Sequence, residues 1–284
     1  VNEAKGNIAE IYVYPIKSGA AVPLESSRIT ALGLATDRQW LIIDDSGRFQ
    51  TQRQIPHLVW ITTQVSGDKI TLNAPNQPTL DLPLANGTHA RRSVTVWRDT
   101  LEALDMGSAA SEWLQEFLQV PGRKFHLVQF DPAQQRLSDP KWTGPQAASH
   151  QFADGFAINV LSQSALDAFN VRLQSHGLPL VDVRRFRPNL VLDNVPAHAE
   201  DQWRYMSIQT QDGPVVLELV KPCPRCQIPD IDPETSIADE EVSDLLAQYR
   251  RLEKMEGAVC FGVNAVVRSG AGRSIGCGDA FTAT

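Results

Sequence analysis

Turn signals cut the first hundred residues into short runs rich in β-branched and aromatic residues, and this feature most constrains the fold. The runs are "NIAEIYVY", "SRITAL", "QWLIID", "LVWITTQV", "KITLNA" and "RRSVTVW", separated by stretches such as "DDSGR", "SGDK" and "NAPNQP". Runs this short, with breakers between them, leave no room for successive amphipathic helices and predict antiparallel sheet or barrel. The first clear helical period is at Ser108–Leu118, where Ala110, Trp113, Leu114, Phe117 and Leu118 form one apolar stripe behind a Ser cap. After "QVPGR" a second unit is expected, dividing the chain into residues 1–120 and 121–284.

The second unit opens on a predicted strand, "KFHLVQF", and continues into "DPAQQRLSDPKWTGPQAASHQFADG", which has no apolar periodicity. Loops of that length in a compact protein are usually functional covers. A helix capped by Ser162 follows, then strands in "PNLVLD", "WRYMSIQT" and "PVVLELV". Ser236 and Asp239 are expected to cap a last helix with Val242, Leu245, Leu246, Tyr249 and Leu252 on its apolar face, before closing strands in "AVCFGVNAVV" and "GDAFTAT". The expected class is mainly β (α+β), with two β-barrel-like units and a few helices.

Composition narrows the function. A chain of 284 residues can bury a sizeable core in one or two domains. The net charge of −7 argues against nonspecific grip on nucleic acid, which needs a surplus of Lys and Arg. No apolar run reaches the length of a membrane-spanning helix, and "VNEAKGNIAE" lacks the pattern of a signal peptide. Four cysteines, none among the first 222 residues, do not make a disulfide framework. The expected compartment is the cytoplasm.

Cys223 and Cys226 lie two residues apart in "VKPCPRCQIPDIDP". Half a zinc site lacks its second half here, because Cys260 and Cys277 are single. A thioredoxin-type dithiol gains reactivity from a helix starting at the motif, which Pro229 and Pro233 oppose. A purely structural pair stays open. The remaining reading is a thiolate on a Pro-bounded turn beside Lys221 and Arg225, suited to a soft or redox-active metal whose other ligands come from a cofactor.

An anionic cofactor would need cations. In an extended "VRRFRPNLVLD", Arg185, Arg187 and Asn189 share one side and Phe186, Pro188 and Leu190 the other. Pro188 favours that extended geometry at Arg187. The segment is either a solvated basic face or a site for phosphate- or carbonyl-rich groups. Lys17 and Ser18 stand at a strand exit in "IYVYPIKSG"; "GLATDRQWLIID" adds Arg38 and "FQTQRQIPHL" adds Arg53.

Together, "YPIKS", "GLATDRQW", "RQIP", "FADGFAINVLS", "RFRPNLVLD", "KPCPRC" with "DPET", "CFGVNAVV" and "GCGDAF" resemble, in order, the MOSC proteins that bind molybdenum cofactor. The similarity is to the branch containing the mitochondrial amidoxime reducing component and its bacterial YcbX relatives, and it covers nearly the whole chain. The resemblance implies that Cys226 is the molybdenum ligand and the catalytic cysteine. It also implies that Lys17, Ser18, Arg38, Arg187, Asn189, Arg225 and Asn264 hold the molybdopterin, with Cys223 supportive. At "DGF" relatives can carry hydroxyl residues where this chain has Gly155 and Phe156, so any contact there would use backbone.

The implied activity is reduction of N-hydroxylated small molecules such as amidoximes, hydroxylamines and nucleobases. Some relatives carry an iron-sulfur domain with a C-x4-C-x2-C run after the MOSC part, and the mitochondrial members carry a membrane-targeting segment; neither pattern stands in this sequence. Electrons are therefore expected from a separate ferredoxin-like protein, flavoprotein or cytochrome, or from a further domain outside this sequence. A noncatalytic module that carries cofactor or sulfur is the alternative function. Lys17 and Arg38 belong to the first expected unit, so the resemblance requires the two units to share one cleft.

Overall fold

The computed structural model describes residues 3–284. Its central element is a seven-stranded β-barrel. Around the ring stand Ile158–Ser162, Leu190–Asp193, Ala4–Val13, Ala280–Ala283, Tyr205–Ile208, Val215–Pro224 and Ala258–Ser269, the last pairing back onto Ile158–Ser162. An odd ring cannot alternate direction all the way round. The one parallel step joins Ile158–Ser162 to Leu190–Asp193, and the helix Gln163–Ser175 makes that crossover, as parallel pairing requires. Full closure leaves few free edges.

The side-chain period of two fills both faces. Leu190 and Leu192 point into the barrel with Ile8, Val160, Met206, Leu217, Val263 and Phe281. Val191 points outward to Phe169, Phe186, Phe261 and the helix residues Leu166, Leu245 and Leu246. At Gly6 the strands approach so closely that an added Cβ would sit 2.6 Å from the Asp193 carbonyl oxygen and 2.7 Å from the Phe281 ring. Phe281 is 1% exposed, so Phe281→Ala should cost about 3–5 kcal/mol, read as a lower urea midpoint at unchanged slope.

Between the first barrel strand and the rest lies a second β-rich body. One sheet runs Trp40–Asp44, Phe125–Phe130, Asp99–Asp105 and Arg91–Val96; another runs Thr62–Ser66, Lys69–Asn73 and Leu80–Pro83. The helix Ser108–Leu118 packs Trp113, Leu114 and Leu118 into their core. Thus the expected first unit lends its opening strand to the barrel, while Phe125–Phe130, expected to open the second, pairs with the first body's strands.

Several local expectations change. Ser108 is the first helical residue and Gly107 the cap. Ser162 stands at its helix N-cap, but its hydroxyl accepts from the His198 N–H at 3.3 Å. The last helix spans Glu241–Tyr249, with Asp239 accepting from the Glu241 N–H and Leu252 beyond its end. Ser236 adopts a left-handed turn instead. The long 131–155 segment contains a small hairpin, Arg136–Leu137 with Ser149–His150, and a short helix Pro140–Thr143. Buried Arg136 fastens it through Asp99 and the carbonyls of Gln151 and Ala153.

Candidate functional site

A cleft of about 480 Å³ lies between the barrel and the second body. Every residue singled out from the sequence lines it: Lys17, Ser18, Arg38, Arg187, Asn189, Arg225, Cys226 and Asn264. The shared-cleft expectation therefore holds. Its cause is the barrel membership of Ala4–Val13, whose exit carries Lys17 and Ser18 to the rim. Asn189 leads into Leu190–Asp193, Cys226 follows Val215–Pro224, and Asn264 faces Asn159 and Lys221 on neighbouring strands. Bulges between Leu219 and Lys221, and between Pro222 and Pro224, redirect the strand as it enters the cleft.

The extended arrangement expected for Arg185–Asn189 is not formed. Val183–Phe186 is a 3-10 turn capped by the Asp182 carboxylate, and Arg187 takes a left-handed φ of 52°. The cap and the burial of Phe186 in the aromatic cluster outweigh the local preference that Pro188 imposes. Arg185 consequently leaves the common face. It donates to the carbonyls of Pro229 and Asp230 and pairs with Asp232 at 2.7 Å, fastening the loop after Cys226.

Arg187 donates to the Gly19 carbonyl at 2.8 Å and lies over the Tyr14 ring, 4.1 Å from its centroid. Arg38 packs on the same ring at 4.3 Å. The two cations differ in partners. Arg38 pairs with buried Asp37 at 2.6 Å, whereas Arg187 has no carboxylate partner among the described residues. Burial, and then Arg38 beside it, pulls the Arg187 guanidinium down to about 10. An anion in the cleft would relieve both effects.

Asn189 and Arg225 are largely spent on the protein itself. The Asn189 Oδ1 accepts from Arg38 at 3.0 Å and from the Asn159 N–H at 3.1 Å, while its amide donates to the Tyr12 carbonyl. Arg225 donates to the carbonyls of Phe261 and Phe186 and to the Asn159 side chain. These contacts make both residues braces: Asn189 aims Arg38, and Arg225 ties the cysteine loop to the barrel. Asn264 accepts from Asn159 at 3.4 Å.

The fold adds two participants, Asp154 and Trp97, that the sequence alone leaves without a role. Lys17, 7% exposed, donates to the Phe152 carbonyl and pairs with Asp154. Burial pushes the Lys17 ammonium down, against the pull of Asp154. At Asp154 burial works upward, but Lys17, the Trp97 indole and Arg38 outweigh it and hold the carboxyl well below its usual range. Its side chain is still 65% exposed at the cleft mouth. The Trp97 indole N–H donates to Asp154 at 2.9 Å. Asp154 was present in "FADGF", but only the fold brings it to Lys17.

All four cysteines are free, with Cys226 exposed and Cys260 buried. The expected cationic activation does not extend to Cys223, where burial pushes the thiol up despite Arg225 and an Asn264 hydrogen bond. Lys221 instead lies over the rings of Trp142 and Phe156. Among the described residues no cluster of three or more His, Cys, Asp or Glu side chains could hold a metal ion, so the zinc alternative lacks a ligand set.

Two family profiles match the chain: the MOSC N-terminal beta barrel domain over residues 5–121 and the MOSC domain over residues 147–282. A human relative, mitochondrial amidoxime-reducing component 1, is 32% identical, with 88% of this chain and 74% of the relative covered. The chain belongs to the MOSC family, in the branch of the amidoxime-reducing components. The Bos taurus mitochondrial amidoxime reducing component 2 is 31% identical over 89% of this chain and 75% of its own. Among solved structures, the YUAD protein from Bacillus subtilis covers 99% of this chain and 97% of its own at 10% identity and a TM-score of 0.39, too distant to carry inference. No helix of the described residues is long and apolar enough to cross a membrane.

Proposed function

We propose that this MOSC protein is a molybdenum cofactor-dependent reductase of N-hydroxylated compounds, supplied with electrons by a separate ferredoxin-like protein, flavoprotein or cytochrome. The observation that carries the reading is the cleft itself: an exposed cysteine at its edge and, in its wall, a half-buried guanidinium, Arg187, without a carboxylate partner among the described residues. That donor set fits an anionic cofactor bound through one protein thiolate. Cys226 would be the ligand, because it is exposed to the cleft while Cys223 is partly withdrawn. Lys17, Ser18, Arg38 and Arg187 would hold the anionic and carbonyl groups.

When bound, the cofactor supplies the two-electron reducing chemistry that converts N–OH and two protons into N–H and water. The chain's own part is to bind, aim and shield. Asn189 fixes the Arg38 fork through its carbonyl oxygen, and Arg225 fixes the Cys226 turn through main-chain carbonyls. The 131–155 segment, held by Arg136, brings Asp154 and Gly155 to the mouth, with Phe156 following directly. A cytoplasmic setting belongs to the same proposal.

The test uses protein made in a molybdenum-replete host that synthesises the cofactor. Molybdenum and pterin near one per chain are expected, with reduction of benzamidoxime to benzamidine by a chemical electron donor. Folded protein from that host without pterin, or loaded protein that surrenders its cofactor to an acceptor apoenzyme and reduces nothing, would overturn the reading.

A further inference from the structure

Trp97 occupies a position that local energetics disfavours. Strands Arg91–Val96 and Asp99–Asp105 pair Val96 with Asp99, which leaves Trp97 and Arg98 as a two-residue turn. Trp97 is its first central residue and has a φ of 57°. Turns of this length favour Gly, Asn or Asp at positive φ, and a bulky aromatic residue there is strained. The indole is also 49% exposed. Burial of apolar surface alone does not account for a strained aromatic side chain left half exposed.

Its surroundings suggest what it does. Trp97 lines both the cleft and a second cavity of about 490 Å³, and shares Asp154, Gly155, Phe156 and Lys221 between them. The indole is held by three contacts: its N–H donates to the Asp154 Oδ1 at 2.9 Å, the Phe49 ring meets it edge-on at 5.1 Å, and the Arg53 guanidinium lies 5.1 Å from its centroid. The Asp154 Oδ1 takes both Lys17 and Trp97, whereas Oδ2 has no hydrogen-bond partner among the described residues. An aromatic face and a free carboxylate oxygen therefore stand side by side at the junction.

We propose that Trp97 is a specificity-determining platform for planar substrates whose ring stacks on the indole while an amidine-type N–H group donates to Asp154. The favoured class is aromatic or heteroaromatic N-hydroxylated amidines and amino-heterocycles over aliphatic hydroxylamines. The proposal rests on the reductase reading for its role in turnover, but the binding site stands on the geometry of Trp97 and Asp154 alone.

The test compares two amidinium ions with the same charged head, benzamidine and acetamidine, by titration calorimetry on the cofactor-loaded protein. Stacking on one aromatic ring is worth roughly 5- to 150-fold in affinity, so wild type should prefer benzamidine by a factor in that range. Trp97→Gly, which suits the positive φ, is expected to bring the ratio close to one. Trp97→Phe should retain an intermediate preference. In turnover, Trp97→Gly should lower the benzamidoxime-to-acetamidoxime ratio of kcat/KM by a similar factor, chiefly through KM.

An unchanged affinity ratio in Trp97→Gly overturns the proposal, as does failure of wild type to bind benzamidine. A fall for both ligands in step with lost molybdenum also overturns it, because Trp97 would then brace the cofactor. If no reductase activity is found but the affinity ratio still depends on Trp97, the function fails and the platform stands.

Discussion

Cys226→Ser is expected to remove reductase activity down to assay background, a loss of more than about 100-fold, while Cys223→Ser keeps most of it. Residues that merely stand behind a metal ligand are worth about 10- to 100-fold, and a hydroxyl is a poor substitute for a thiolate at a soft centre. The structure sharpens the difference between the two sulfurs. Cys226 is exposed at the cleft, whereas Cys223 is partly buried and its thiol is pushed up by that burial, against the pull of Arg225. A protonated, withdrawn Cys223 packs and supports. Both variants should fold, since neither cysteine forms a disulfide. Activity per folded chain and bound molybdenum are the measurements. Equal loss in both, with zinc in place of molybdenum, would return the pair to the metal reading for which no third ligand was found.

How far the sequence reached depends on which forces set each element. Half-buried strands such as Lys69–Asn73 alternate between the core and solvent and were legible. Ile158–Ser162 is buried at every position, because barrel and helix layer cover both of its faces, and so its sequence shows no alternation. Asp99–Asp105, "DTLEALD", has a composition that favours helix as much as strand and is fixed by pairing with two neighbours. The candidate site shows the same division. Lys17, Arg38 and Cys226 stood out through chemistry and order along the chain. Trp97 and Asp154 did not, because their role depends on a turn of the inserted body meeting a loop 57 residues further on.

The extended geometry that singles out Arg187 in the sequence does not form. Its backbone is left-handed and not extended, and what marks it is its lack of a charge partner. Removing a half-buried cation that no carboxylate balances relieves part of a desolvation cost, so Arg187→Ala should leave cofactor-free protein as stable as wild type or more so. The loaded protein should move the other way. Charge-assisted hydrogen bonds to the cofactor are worth roughly 1.5–3 kcal/mol, so cofactor affinity should fall by about tenfold or more, and with it the thermal gain on loading. Arg187→Lys should recover only part, because an ammonium cannot reproduce the fork that reaches the Gly19 carbonyl and a ligand together. Melting curves of both variants, with and without cofactor, and pterin per chain are the measurements. A stability order that is the same in both states, with full pterin in Arg187→Ala, would place the cofactor elsewhere and leave Arg187 as a brace for the Gly19 turn.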